Sequence, residues 1–433
     1  MNISSSGSLI GAFKRYASNS MWMVSEQILR LVSGVVVGIY VARYLGPERF
    51  GLLSYVLAIS AFLIAIARMG MDALIIREAI KHPEERHRIV STAFWMMQVA
   101  AAGIYALMVL SLVFIDETDE IKVFFLIACS VVFLTPFLSV DYYYQSQVKS
   151  RFSVACKIFT LVVTSIAKVT MVLVEADLVW FVAVIVAEQI ILSLLFLFVY
   201  RATERKLLFS SPVLDFVRPL LKGAWPMIMT SVAVLVYMRI DQVMIRALLG
   251  DDELGIYSAA VRIYDAWVVF PYIITVSLLP YMANLKKGDH DVYVKRMTQI
   301  FSAVIWVGVI AFTGSLIVSD LAFPLMFGAS FSESSSVFKI MMASSVFVSI
   351  GSVSARYFAV EHMEKKIAFR TLVAAVINVA MNAVLIPRYG IAGAAYSTLC
   401  CTFVANYLFD WVDPELKELL GMKNQAVLSN PFK

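Results

Sequence analysis

The chain has 433 residues, 61% of them hydrophobic and only 15% charged, with a mean hydropathy of +0.81. A soluble domain carries about 25% charged residues, so this composition excludes a soluble enzyme and leaves no length for an appended catalytic or nucleotide-hydrolysing domain. The net charge of +5 then bears on membrane topology, not on nucleic acid.

Residues 1–19 are polar and carry Lys14 and Arg15. The apolar run behind them is too long for a signal peptide and has no small-residue cleavage site, which predicts a retained anchor. A spanning helix uses roughly 20 apolar residues. Such stretches recur at 20–42, 51–70, 89–115, 121–141, 153–174, 178–200, 224–247, 254–284, 297–318, 338–359, 367–387 and 390–410. The expected fold is an all-α integral membrane protein of about twelve transmembrane helices.

Lysine and arginine orient it, because short loops rich in them stay cytoplasmic. The N-terminus, the even-numbered connections and the tail hold 24 of the 36, the odd connections six, and the spans six. Both termini are therefore expected in the cytoplasm of a multi-pass protein. The outer loops are short and acidic, as in Asp116–Glu120 and Asp251–Glu253. The four cysteines lie in or beside spans as packing residues, and the four histidines are scattered through loops, so no cofactor or metal site is expected.

LGPERFGLLSY (Leu45–Tyr55) and LGDDELGIYSA (Leu249–Ala259) form an internal repeat. Leu45, Gly46, Gly51 and Ser54 recur at Leu249, Gly250, Gly255 and Ser258, at a constant offset of 204. Six helices separate the copies, so both halves enter the membrane the same way, and two parallel six-helix lobes around a central cavity are expected. The boundaries fall at 1–200 for the first lobe, 201–222 for a basic cytoplasmic linker, 223–410 for the second lobe and 411–433 for a cytoplasmic tail.

Twelve ionisable residues lie in the spans: Arg30, Arg68, Lys168, Arg239, Arg262, Arg356, Glu26, Asp72, Asp141, Glu188, Asp241 and Asp265. Each costs roughly 2.5–3.5 kcal/mol at the bilayer centre, so most must face one another, a wet cavity or the interface. Arg68, Asp72 and Asp141 are near enough to span ends to snorkel. Seven of the others fall on helical stripes: Asn19, Trp22, Glu26, Arg30, Ser33; Lys157, Thr160, Thr164, Lys168; Thr230, Tyr237, Asp241, with Arg239 roughly opposite; Ser258, Arg262, Asp265; and Ser345, Ser349, Ser352, Arg356. Stripes ending in a base suggest a cationic lumen for an anionic cargo, since the arginine fork binds phosphate oxygens bidentately. Helix-pinning pairs such as Glu26/Arg30 and Arg262/Asp265 are the competing reading. No GxxxxGK[ST], HExxH or long outer loop is present, so the chain is expected to move something and not to be an enzyme.

The blocks NSMWMVSEQILRLVSGVVVGIYVARYLGPERFG (Asn19–Gly51), MGMDALIIRE (Met69–Glu78), RIDQVMI (Arg239–Ile245), LGIYSAAVRIYD (Leu254–Asp265) and IPRYGIAGAAYST (Ile386–Thr398) resemble the O-antigen flippases, the Wzx-type members of the polysaccharide biosynthesis protein family. The resemblance implies a member of the multidrug, oligosaccharidyl-lipid and polysaccharide exporter superfamily in a bacterial inner membrane. Such a protein moves an undecaprenyl-pyrophosphate-linked repeat unit to the periplasmic leaflet by alternating access. Its partners would be that lipid-linked oligosaccharide, the bilayer, and the polymerase and chain-length machinery of polysaccharide assembly, with no nucleic acid. In the related lipid II flippases, arginines of helices 1, 2 and 8 line the cavity. Arg30 and Arg262 match helices 1 and 8, whereas Arg68 lies too near the end of helix 2. Arg30, Lys168, Arg239, Arg262 and Arg356 are the candidate pyrophosphate ligands, Glu26, Asp241 and Asp265 the candidates for coupling to H+ or Na+, and Trp22, Tyr237, Tyr264 and Trp267 the candidate sugar contacts. A multidrug or cation antiporter of the same superfamily is the alternative.

Overall fold

A computed structural model describes residues 4–114, 116–206 and 208–428, with side chains from residue 18 onward except 214 and 364. The side chains of Lys14 and Arg15, and all of Lys433, lie outside it. Among the described residues there is no strand. The helices are α1 (Ser4–Arg68), α2 (Met71–Lys81), α3 (Arg86–Leu112), α4 (Asp119–Cys129), α5 (Ser139–Ser146), α6 (Arg151–Leu173), α7 (Leu178–Glu204), α8 (Leu214–Leu249), α9 (Asp251–Leu285), α10 (His290–Phe327), α11 (Ser334–Ala343), α12 (Ser345–Val360), α13 (Glu364–Tyr389), α14 (Ile391–Phe403), α15 (Phe409–Val412) and α16 (Lys417–Leu428). A tight helical segment, Ser130–Leu138, joins α4 to α5, and a widened turn, Val404–Leu408, joins α14 to α15.

Ten helical stretches are long and apolar enough to cross a membrane, and α11 with α12 forms a further span bent by 42°. The first stretch, Ser18–Lys81, is two helices, because Gly46 breaks α1 at φ 72° and Pro47 opens the next segment. Proline suits that first position, where its missing N–H has no helical partner to lose. Divided there, the described residues offer twelve spans, the number expected from the sequence. Several overshoot the bilayer: α10, with 38 residues, extends about 57 Å.

The chain folds as two compact units, one of residues 1–41 and 56–232, the other of 42–55 and 233–433. In the first, Met71, Leu74, Phe94, Met97, Tyr144, Phe196 and Tyr200 are buried together. The stretch read from sequence as a linker is tied to this unit. Ser91 Oγ and Trp95 Nε1 donate to the Ser210 carbonyl at 2.5 and 3.2 Å, and the Val213 amide donates to Thr92 at 3.0 Å. From 214 onward it is already α8. In the second unit, Met297, Phe301, Ile350, Tyr357 and Phe358 pack with Leu416, Leu419 and Met422. The segment read as a tail is thus part of this unit's core.

The two copies of the repeat meet inside the second unit. Gly46 and Gly250 both have positive φ, 72° and 99°, a conformation that glycine adopts without steric penalty. Beyond them, Gly51 lies against the carbonyl of Asp251 and Gly255 against the carbonyl of Pro47, so closely that a methyl group on either would overlap the opposing backbone. Asp251 is the repeat equivalent of Pro47, and Gly255 of Gly51, so the crossing is reciprocal. Phe50 and Leu254, equivalent in the two copies, are both buried.

Candidate functional site

Among the described residues of the first unit, the charges buried in spans have partners. Arg30 Nη2 lies 2.6 Å from Glu26 Oε1, one turn back along α1, in the order that favours the pair. Glu26 is buried, whereas the Arg30 side chain is 46% exposed. Lys168 donates to Glu188 of α7 at 2.9 Å. At the other end of the same α6 stripe Lys157 pairs with Asp141 at 2.5 Å, and Thr160 and Thr164 between them are buried. The stripe expected to be cationic is therefore neutralised within the unit. Asp141 does not snorkel: it is 4% exposed and also accepts from Gln145. Arg68 is held by the Tyr142 hydroxyl at 2.8 Å and by Asp72 at 3.5 Å.

The beginning of the α1 stripe opens on a cleft of about 700 Å³ in the first unit, lined by Asn19, Trp22, Tyr144, Lys149, Arg151, Phe152 and Glu204. Asn19 Oδ1 accepts the Ser150 amide at 2.7 Å, and the Arg151 guanidinium stands 4.8 Å from the Phe152 ring centre. Exposed bases beside aromatic faces suit an anion joined to a sugar. At the far end of the stripe Ser33 bonds Ser165 of α6 at 2.7 Å. Of the four aromatic candidates only Trp22 lines this cleft. The Tyr264 hydroxyl is buried against Ser344, Trp267 stacks on Phe270, and Tyr237 lines a smaller cavity in the second unit.

In the second unit the pairing differs from that expected. Spacing along α9 assigns Asp265 to Arg262, yet Asp265 Oδ2 accepts from Arg239 of α8 at 2.7 Å. Spacing along one helix cannot register a neighbouring helix that reaches the same carboxylate. Arg262 is left half-buried over the Phe50 ring, 5.4 Å from its centre, and among the described residues no carboxylate lies within 4 Å of it. Arg356 is similarly placed 5.1 Å from the Tyr272 ring centre, and its Nε has no acceptor. The serines leading to Arg356 serve helix packing instead. Ser345 donates to the Gly308 carbonyl at 2.9 Å, and Ser349 lies so close to Gly308 that a methyl there would press on its hydroxyl, the close approach that small residues permit.

Asp241, near the C-terminal end of α8, is buried and has no cationic partner within 4 Å among the described residues. It accepts from the Tyr257 hydroxyl and from the Gln242 amide. Tyr257 also faces the Thr398 hydroxyl. Separately, α13 and α14 share a buried amide cluster: Asn382 donates to Asn378 at 3.1 Å and Asn378 to Ser397 at 3.3 Å, while Asn382 Oδ1 has no donor. Carboxylate, amide and hydroxyl oxygens are the ligands that hard cations prefer. Sequence reasoning missed both asparagines, although two of them one turn apart in an otherwise apolar helix were a readable signal.

The helical plan is shared with solved structures of transporters. A solved structure of the lipid II flippase MurJ in an inward closed conformation superposes with a TM-score of 0.71 over 96% of this chain and 94% of that one, at 15% identity. An inward-facing multidrug resistance MATE family transporter of the MOP superfamily gives 0.68 over 93% and 96%, at 13% identity. These likenesses establish the fold. The model of the polysaccharide biosynthesis protein family matches residues 16–286, and the chain belongs to that family. The probable low-salt glycan biosynthesis flippase Agl15 of Haloferax volcanii is 23% identical over 173 residues, which is 40% of this chain and 36% of that protein. The match thus spans about a third of the relative's length.

Proposed function

We propose that this protein is a flippase for an oligosaccharide repeat unit, of O-antigen or a similar polysaccharide, carried on undecaprenyl pyrophosphate. It works by alternating access, from the cytoplasmic to the periplasmic leaflet of a bacterial inner membrane, with both termini cytoplasmic. Family membership and the relative named as a glycan biosynthesis flippase support the cargo class. The single observation that carries the chemistry is Arg262, a cation inside an apolar helix with no carboxylate partner although Asp265 lies one turn away. Such a charge is expensive unless an anion meets it, and pyrophosphate is such an anion. Arg30, its side chain 46% exposed beside Glu26, is the corresponding group of the first unit, and Arg356 is a further unpaired cation. Lys168 and Arg239 hold carboxylates, so binding cargo through them requires an exchange of partners. The polymerase and chain-length machinery are the natural recipients of the product.

In cells lacking the protein, the lipid-linked repeat unit is expected to accumulate on the cytoplasmic side and to be cleared by the wild-type gene. Absence of build-up would turn the assignment towards a drug or cation antiporter.

Coupling to an ion gradient is assigned to Asp241 in preference to Glu26 and Asp265, because those two are tied to Arg30 and Arg239. Its carboxylate, tied to the Tyr257 hydroxyl that also faces Thr398, offers a proton site or an oxygen ligand for Na+. The expected result for Asp241→Asn in proteoliposomes is transport at the gradient-free rate, whether or not a sodium or proton gradient is imposed. A gradient response equal to that of wild type would remove Asp241 from the mechanism.

A further inference from the structure

The cleft of the first unit, about 700 Å³, is lined by an acid as well as by bases, and that acid has no part in the preceding assignments. Glu204 is the last residue of α7, which ends where Arg205 takes a left-handed φ of 54°. An acid at a helix C-terminus works against the helix dipole, so helix stability does not account for it. It has no lysine or arginine within 4 Å among the described residues, yet it is held: the Tyr143 hydroxyl donates to it and accepts in turn from Gln147. The next tyrosine of α5 holds the preceding residue of α7. Thr203 gives its proton to the Val199 carbonyl at 2.9 Å, so the Tyr144 hydroxyl is the donor in the 2.6 Å contact between them. Both tyrosines are buried, which fixes two acceptors, Thr203 and Glu204, in the cleft wall.

The rest of the lining supplies donors and flat faces. Arg151 stands over the Phe152 ring and, like Lys149, has no carboxylate within 4 Å among the described residues. Asn19 gives its oxygen to the Ser150 amide and leaves its Nδ2 to the Met23 sulfur at 3.9 Å. Trp22 is 45% exposed. The turn that carries Lys149 holds Val148 at φ 58°, a region that a β-branched residue seldom enters and that concentrates at binding sites.

An acid in the lining separates the parts of a lipid-linked sugar. Phosphate oxygens only accept, and a neighbouring carboxylate repels them; a polyprenyl tail makes no hydrogen bonds. A sugar hydroxyl both donates and accepts, and the C–H face of a sugar ring packs on an aromatic one. The cleft volume falls within the range of about 300–1,000 Å³ usual for small-molecule sites.

We propose that Glu204 is the residue by which this cleft selects a sugar. It takes protons from the hydroxyls of a neutral sugar of the repeat unit whose apolar face lies on Trp22, while Lys149 and Arg151 donate to the remaining ring oxygens. Tyr143 is a positioning residue that aims the carboxylate. A sugar lacking those hydroxyls leaves the carboxylate unmatched, which is how a polar site rejects an analogue. The inference rests on reading the protein as a flippase for a lipid-linked oligosaccharide; to the pyrophosphate ligand Arg262 it adds a residue that reads the sugar.

The test is saturation-transfer difference NMR on the full-length protein in nanodiscs, which avoid sugar-headed detergents. The probes are D-galactose, N-acetyl-D-glucosamine, D-glucuronate and inorganic phosphate. One of the two neutral sugars is expected to bind most tightly, with its ring-face protons saturated, and Trp22→Ala to remove that signal. Glu204→Gln is expected to weaken the binding about tenfold. Tyr143→Phe is expected to weaken it about threefold in the wild-type background and not at all once Glu204 is replaced by glutamine, a non-additivity that a purely structural role would not produce. Binding of none of the three sugars, tightest binding of glucuronate or phosphate, or an affinity unchanged in Glu204→Gln would each overturn the inference. The flippase reading is judged separately in the deletion strain. Build-up that Glu204→Gln clears at the wild-type rate would sink the inference alone, whereas absence of build-up would sink the reading.

Discussion

Replacing Gly255 or Gly51 with valine is expected to abolish recovery of folded protein, whereas alanine at Gly314 is expected to be tolerated. The first two positions face carbonyls of the opposing repeat copy, Pro47 and Asp251, at a distance that leaves no room for a methyl group. A flexible side chain could move aside. A backbone carbonyl at the start of a packed helix cannot move without separating the two helices, and overpacking of this kind costs about 3 kcal/mol or more. Even alanine is expected to be destabilising at either site. At Gly314 nothing lies within 4 Å of the added atom, and alanine there should gain about 0.5–1 kcal/mol from helix propensity. Monodispersity in detergent and the unfolding midpoint measure both effects. A Gly255→Val protein that is monodisperse and melts within about 2 °C of the wild type would mean that the copies do not cross as described.

That crossing shows what the sequence discloses and what it withholds. The offset of 204 identifies the glycines as a repeated signal, and each helix boundary nearby follows from glycine and proline chemistry. Nothing in a repeat says that its copies touch, and here they do, which draws residues 42–55 out of the first unit and into the second. The spans were readable because twenty apolar residues have few other destinations. Partnerships between helices were not. Glu26 with Arg30 is a contact along one helix and follows from spacing, whereas Arg239 with Asp265 joins residues 26 positions apart on two helices. The serines before Arg356 and the threonines before Lys168 look polar in sequence, yet they pack against Gly308 or are buried in their own unit. Lys423 misleads in the opposite sense. In a short polar segment near the C-terminus it reads as solvated, but it is fully buried on Asp410, a pairing that needs the fold to bring α16 back against α10.

The same sorting of charges gives the second large expected effect. Arg262→Gln should lower transport about tenfold to a hundredfold while leaving the unfolding midpoint nearly unchanged. A charged hydrogen bond to an anion is worth about 1.5–3 kcal/mol, and with no carboxylate paired to Arg262 its removal orphans no acid. The ring contact with Phe50 is worth about 0.5–1 kcal/mol at an accessible site, which bounds the loss of stability. Arg239→Gln should behave differently, since it strands Asp265 and destabilises the fold, and Asp265→Asn added to it should restore part of the lost stability. Transport is read in proteoliposomes as the fraction of lipid-linked oligosaccharide accessible to an external glycosidase over time, and stability is read from the same preparations. Transport at the wild-type rate by Arg262→Gln would mean that this cation only supports the helix crossing. The anion would then have to be held in the first unit, where Lys149, Arg151 and Arg30 become the groups to neutralise next.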